Sequence, residues 1–177
     1  SDNGPWLVKN QAGGSAGLLR DGKGSTWAGG MRVPGIAWWP GRIPQGVVRS
    51  DMACSMDLFP TCLKLAGGSM PADRVFDGTD LSALLFGEGP GRRDTMFYYR
   101  ADTLYAVRQG PFKAHFVTWG GYSKEPAERH ETPRLFHIAS DPSERFDVAG
   151  DHPDIVAALV KLAAEHRAGV VPGKPQY

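Results

Sequence analysis

A chain of 177 residues can bury a substantial core, as one large domain or two small ones. Its 41% hydrophobic and 22% charged content is that of a folded globular protein, which argues against disorder. With 20 Lys and Arg against 19 Asp and Glu, the net charge of +1 gives no footing for nucleic acid or a membrane as partner, and no apolar run approaches the ~20 residues that cross a bilayer.

Residues 1–34 are rich in Gly, Ser, Lys and Asp and lack periodicity, which predicts a long functional loop on a rigid scaffold. The chain opens on Ser1-Asp2-Asn3-Gly4 without an initiator Met or a leader, and this start is expected to lie inside a longer protein. Gly35-Ile36-Ala37-Trp38-Trp39, closed by Pro40-Gly41, predicts a short buried strand ending in a turn. Ser55 is placed to cap a helix over about 56–66, with Leu58, Phe59, Cys62, Leu63 and Ala66 on one face and Gly67-Gly68 as its stop. Cys54 and Cys62 are expected as two buried free thiols, a disulfide being the alternative. Asp77-Gly78 forms a turn, and Thr79 or Asp80 caps a short helix over 81–86. The run Gly87-Glu88-Gly89-Pro90-Gly91-Arg92-Arg93 marks a boundary between two subdomains, 1–90 and 94–177.

Beyond the boundary, residues 95–100, 104–108 and 112–118 are aromatic and β-branched and predict three strands. The turns between them fall at Ala101-Asp102 and Gln109-Gly110-Pro111. Residues 119–133 read as a polar loop, 135–138 as a fourth strand, and Asp141-Pro142-Ser143 as a turn. The last element is a helix over 152–168, capped by Asp151, with Ile155, Leu159, Leu162 and His166 on one stripe. A four-stranded antiparallel sheet with one helix on a face is the α+β unit these elements make.

Two short sites carry chemistry. In Asp2-Asn3-Gly4 a carboxylate and an amide carbonyl can turn two hard oxygens toward Ca²⁺ or Mg²⁺, though alone the tripeptide is also an ordinary turn. In Gly22-Lys23-Gly24-Ser25-Thr26 the flanking glycines let backbone approach an anion and Lys23 adds a point charge, a solvated loop lysine being the alternative. The spacing is not that of a P-loop.

These two sites stand in one run with Gly13-Gly14-Ser15-Ala16-Gly17-Leu18-Leu19-Arg20, Trp27 and Gly29-Gly30-Met31-Arg32-Val33-Pro34, and in this order and spacing the run resembles the sulfatase family. Trp38-Trp39-Pro40-Gly41, Met56-Asp57-Leu58-Phe59, Phe97-Tyr98-Tyr99-Arg100, Lys113-Ala114-His115-Phe116 and Asp141-Pro142-Ser143-Glu144-Arg145 extend the likeness along the chain. They look most like the branch holding N-acetylgalactosamine-6-sulfatase and arylsulfatase A.

The resemblance implies an α/β fold: residues 1–90 as the end of an alkaline-phosphatase-like sulfatase domain, and 94–177 as its small C-terminal α+β domain. It implies Asp2 and Asn3 as calcium ligands, and Lys23 as a catalytic group contacting the sulfate. His115 and Trp119 would approach the mouth of the site and touch the sugar or aryl group; for His115 a surface position among aromatics is the alternative. The implied reaction is hydrolysis of aryl sulfate or of 6-sulfated galactose or N-acetylgalactosamine, with a formylglycine nucleophile made in a C/S-x-P-x-R motif. No such motif occurs in these residues, Ser69-Met70-Pro71-Ala72-Asp73 being nearest. The nucleophile and the other carboxylate ligands are therefore expected in a missing N-terminal segment, and the isolated chain is expected to be inactive. Ala28 stands where many relatives carry Glu, which puts the rigidity of the loop in question. No N-x-S/T sequon is present, and a bacterial exported enzyme is expected, or a lysosomal one if animal. The alternatives are phosphate or phosphonate monoester hydrolysis on the same scaffold, and a non-catalytic carbohydrate-binding or assembly module.

Overall fold

The computed structural model describes residues 1–171 and 173. Two units emerge: Ser1–Val33 with the chain from Thr95 onward, and Pro34–Asp94. The glycine-rich run ends where the second unit ends, but the opening 33 residues, which precede it, pack with the sheet that follows it.

In the first unit, Leu7–Gly13 forms 3-10 turns kinked at Asn10, and α1 spans Ala28–Met31. The sheet holds β1 (Thr95–Arg100), β2 (Thr103–Gln109), β3 (Phe112–Thr118) and β4 (Glu128–His137), antiparallel in the order β1-β2-β3-β4. A bulge at Tyr105 lies between the pairs Tyr98–Ala106 and Tyr99–Leu104, and it lets Leu104 and Val107 share one face. β4 starts well before the expected Leu135, because Glu128 and Arg129 pair with Thr118 and Val117. Charged side chains hide that first half, and Pro133, which has no N–H to give the ladder, sits in its irregular stretch.

The helix α4 (Pro153–Gly169) starts on Pro153, where a missing N–H costs nothing. Asp151 does not cap it; its N–H closes a turn on the Val148 carbonyl at 3.1 Å. Val156, Leu159 and Ala163 bury one stripe against Leu104, Val107, Ala114 and Leu135, and His166 stacks on Phe97 at 3.6 Å between centroids. β3 alternates, with Phe112, Ala114 and Phe116 toward the α4 side and Lys113 and His115 toward the other. That other face is covered by Trp27, packed with Phe136 and Ile138.

The second unit contains a 3-10 turn (Ser55–Asp57), α2 (Leu58–Leu65) and α3 (Ser82–Phe86). The strand expected over 35–39 does not form: Ile36 is 94% and Trp38 84% exposed, and no described residue gives the segment a ladder partner. The apolar face of α2 is likewise open, with Leu58 and Phe59 about half exposed, while Pro60 and Thr61 are buried. Both cysteines are free, and Cys62 is exposed rather than buried.

Asp57 organises this unit. Fully buried, it accepts the N–H of Cys54 at 2.8 Å and of Thr79 at 2.7 Å and pairs with the Arg93 guanidinium. Burial alone would raise its pKa, but Arg93 and the two N–H donors outweigh it and hold the carboxyl down at about 2. A depressed carboxylate stabilises above its unfolded pKa, so the contribution is complete above about pH 4 and is lost as pH falls toward 2. Asp57→Asn is expected to remove on the order of 2 kcal/mol at pH 7 and much less at pH 2.5. Urea unfolding at the two pH values checks this; an equal loss at both would contradict it.

Candidate functional site

Three backbone hydrogen bonds bring the two candidate sites onto adjoining chain. Gly4 N–H donates to the Gly30 carbonyl at 3.0 Å, Lys23 N–H to Pro5 at 2.8 Å, and Gly29 N–H to Arg20 at 2.7 Å. Glycine is required by proximity: a Cβ on Gly4 would lie 1.9 Å from the Gly29 oxygen, and one on Gly29 would lie 2.1 Å from the Asp21 oxygen. The Asp-Asn-Gly and Gly-Gly signals of the sequence are therefore two sides of one contact, and Lys23 hangs its backbone on the residue after Gly4.

Asp2 is exposed and Asn3 half-buried, with the Asn3 Nδ2 donating to Asp2 Oδ2 at 2.9 Å. A carboxylate and a carboxamide side by side are hard-oxygen donors of the kind that suit calcium, and they supply two of the roughly six to eight oxygens such an ion takes. Among the described residues no group of three or more His, Cys, Asp or Glu is placed to hold a metal. The pair fits as one part of a cation site. Lys23 is half-buried, with its Nζ 5.7 Å from the Trp6 ring centroid.

Asp21 joins the lysine loop to the loop after β3. Held at φ +62°, it accepts Gly22 N–H on Oδ1 at 2.7 Å and Gly121 N–H on Oδ2 at 2.8 Å. Beside this tie lies a cleft of about 360 Å³ lined by Arg20, Asp21, Trp27, Thr118, Trp119 and Glu128, among others. Trp119 is half-exposed there, its Nε1 donating to the Glu125 carbonyl at 2.9 Å and its ring covered by the Arg100 guanidinium at 3.7 Å. The structure thus brings Trp119 to an opening beside the Lys23 loop.

His115 is not at that opening. Its ring is fully buried behind Trp27, 4.2 Å between centroids, because it points to the Trp27 face of β3. Its place is the interior, and a direct contact with substrate does not fit that burial. Nε2 carries the proton to Glu144 Oε1 at 2.8 Å, since the carboxylate can only accept, and Nδ1 has no hydrogen-bond partner among the described residues. Burial, with the nearby Lys113 charge, lowers its pKa to about 4, so the imidazole is neutral at physiological pH.

Around it sits a cluster that sequence reasoning missed. Lys113 Nζ lies 2.9 Å from Glu144 Oε1 and donates to the Thr26 carbonyl at 2.7 Å. Glu144 Oε2 accepts Ala28 N–H at 2.6 Å, and the Glu144 carbonyl accepts from Arg20 Nη1 at 2.7 Å. Burial pushes the Glu144 pKa up, but the His115 hydrogen bond and the Lys113 charge outweigh it and hold it at about 2. Burial lowers the Lys113 pKa, against the attraction of Glu144. The sequence signals were Lys113-x-His115, two polar residues alternating into an otherwise apolar strand, and the Asp141–Arg145 run, in which Glu144 had no assigned role; it follows a turn, at φ +50°. At Ala28, then, the loop is held by a carboxylate reaching in from Glu144 rather than by its own side chain.

Two family models match the chain: one described as sulfatase over residues 1–69, the other as the C-terminal region of aryl-sulfatase over 91–177. The N-acetylgalactosamine-6-sulfatase of Canis lupus familiaris is 42% identical over 202 residues, covering 99% of this chain and 38% of that protein. Arylsulfatase A of Homo sapiens is 39% identical over 182 residues, covering 92% of this chain and 36% of its own. Among solved structures, the PsFucS1 sulfatase from Pseudoalteromonas sp. superposes with a TM-score of 0.83 at 29% identity, over 95% of this chain and 36% of that one. The chain thus spans less than two fifths of the length of these relatives.

Proposed function

Because this chain belongs to the sulfatase family, with the four-stranded antiparallel sheet and terminal helix of its C-terminal region, we propose that the whole protein hydrolyses sulfate monoesters, either an aryl sulfate or a 6-sulfated galactose or N-acetylgalactosamine. The observation that carries this reading is the adjoining placement of the Asp2-Asn3 pair and Lys23, tied through the Lys23–Pro5 hydrogen bond of 2.8 Å. In this reading residues 1–90 close the catalytic domain and 94–177 form its C-terminal subdomain, in keeping with the separate matches over 1–69 and 91–177.

Asp2 and Asn3 would hold a calcium ion, which supplies Lewis-acid polarisation of the sulfate oxygens when bound. Lys23 would place its ammonium on the transferring group, where fixed positive charge stabilises the charge that builds in the transition state. Gly22 is required by packing, since a Cβ there would lie 2.5 Å from the Pro5 oxygen, and Gly24 by its φ of +93°. Trp119 would meet the alcohol portion of the substrate at the cleft mouth, with its apolar ring facing a sugar or aryl group. The formylglycine nucleophile and the remaining calcium ligands belong to a segment outside these 177 residues, so the isolated chain would not turn over. Export to a periplasm or cell exterior, or to a lysosome in an animal source, completes the proposal; no helix among the described residues is long and apolar enough to cross a membrane.

Steady-state turnover of an aryl sulfate and the matching aryl phosphate by the full-length protein tests the reaction. A preference for sulfate is expected; a preference for phosphate would replace this reading, and no turnover of either, with glycan binding retained by Lys23→Ala, would point to a binding module. Chelation of calcium is expected to abolish turnover reversibly. Asp2→Ala should raise the calcium concentration for half-maximal turnover by at least about tenfold, since affinity follows ligand charge. An unchanged calcium titration would remove Asp2 from the site.

A further inference from the structure

Both shoulders of the loop that carries Lys23 end on one residue of the sheet unit. Before the lysine, Arg20 Nη1 donates to the Glu144 carbonyl at 2.7 Å; after it, Ala28 N–H donates to Glu144 Oε2 at 2.6 Å. Lys113 Nζ bridges between them, 2.9 Å from Glu144 Oε1 and 2.7 Å from the Thr26 carbonyl. Lys113 is 1% exposed and Glu144 and His115 are 0% exposed, so these groups are far from water. Residue 28 has only a methyl group and gives the loop no side-chain anchor of its own.

An ion pair this deep is a poor choice for stability alone, since well-packed apolar side chains of the same volume do as well or better. What apolar side chains cannot do is fix the Ala28 N–H and the Thr26 carbonyl at set positions. We propose that Glu144 and Lys113 are positioning residues for Lys23: they clamp the 20–28 loop on the sheet so that the ammonium is aimed before substrate arrives. His115 serves the same arrangement, its Nε2–H fixing the Glu144 carboxylate from the sheet side. The inference rests on the role proposed for Lys23 in sulfate ester hydrolysis.

The test is a double variant of the full-length enzyme, Lys113→Met with Glu144→Leu, which removes both charges together with the side-chain acceptor of the Ala28 N–H. Its melting temperature is expected to lie closer to wild type than that of Glu144→Leu alone, which strands the Lys113 ammonium. Its kcat for an aryl sulfate should nonetheless fall by at least about thirtyfold, with KM within about threefold, because misplacing a charge by 1 Å costs on the order of 100-fold. Recovery of kcat together with the melting temperature would show the cluster to be structural only and overturn the proposal. Arg20→Met, at an exposed position, removes the bond to the Glu144 carbonyl and the guanidinium stacked on Trp27 at 3.6 Å, and guards against a double variant that does not fold. It is expected to lower kcat about fivefold with KM little changed, and Arg20→Lys to recover most of the loss. Full kcat in a stable Arg20→Met protein overturns the proposal by itself. Lys23→Ala separates the two readings: if it retains full turnover, the role of Lys23 fails and the positioning proposal with it; if it is inactive while the double variant is not, only the positioning fails.

Discussion

Lys23→Ala in the full-length enzyme is expected to lower kcat for an aryl sulfate by about 100- to 1,000-fold while leaving thermal unfolding within a degree or two of wild type. That range is what removal of one preorganised charge or donor from a transition state costs. The asymmetry between activity and stability follows from the local structure. The Lys23 backbone is fixed through its N–H on Pro5, whatever its side chain, and the loop is tied on both sides by Asp21, Arg20, Thr26 and Ala28. The side chain itself is half-buried and makes no ion pair with Asp or Glu among the described residues. Removing it takes away charge at the anion and little packing. A loss of turnover that tracks a loss of melting temperature would instead make Lys23 a structural residue.

Glu144→Ala is expected to act in the opposite sense, costing about 3 to 5 kcal/mol of stability. Most of that is the penalty left on Lys113, an ammonium 1% exposed with its carboxylate partner gone. The same change strips acceptors from the Ala28 N–H and from His115 Nε2. Chemical denaturation of Glu144→Ala and of Glu144→Ala with Lys113→Met checks the cause. Removing the stranded charge should recover a large part of the loss; a double variant as unstable as the single would place the cost elsewhere, in the cavity left by the glutamate.

The elements legible in the sequence are those whose chemistry is local. β1 and β3 carry dense runs of aromatic and β-branched residues, and α4 has a clean stripe with Pro153 at its start, so their bounds follow from spacing alone. The first half of β4 was not legible, because Glu128, Arg129 and Glu131 are charged residues on a strand whose pairing is set by β3. The segment 35–39 has the composition of a buried strand but no ladder partner among the described residues, and composition cannot supply one. In the site, residue type alone left Asp2-Asn3-Gly4 readable as a turn and Lys23 as a solvated loop lysine; the resemblance of the whole run to the sulfatase family singled them out. His115 was placed at the mouth of the site by resemblance, with packing among aromatics as the alternative; it packs against Trp27 and Phe136, but fully buried, since residue type does not say which face of β3 is covered. Glu144 stood in the Asp141–Arg145 run without a role: its partner Ala28 is 116 positions away, and only the packing of the opening segment on the sheet brings them together.

The most direct measurement is a crystal structure of the full-length protein with calcium and sulfate bound. An Asp2 carboxylate oxygen and the Asn3 amide oxygen are expected on the ion at about 2.3–2.6 Å, with Lys23 Nζ within about 3 Å of an oxygen of the same sulfate. An ordered Lys23 left against Trp6, with the anion held by other groups, would contradict this placement.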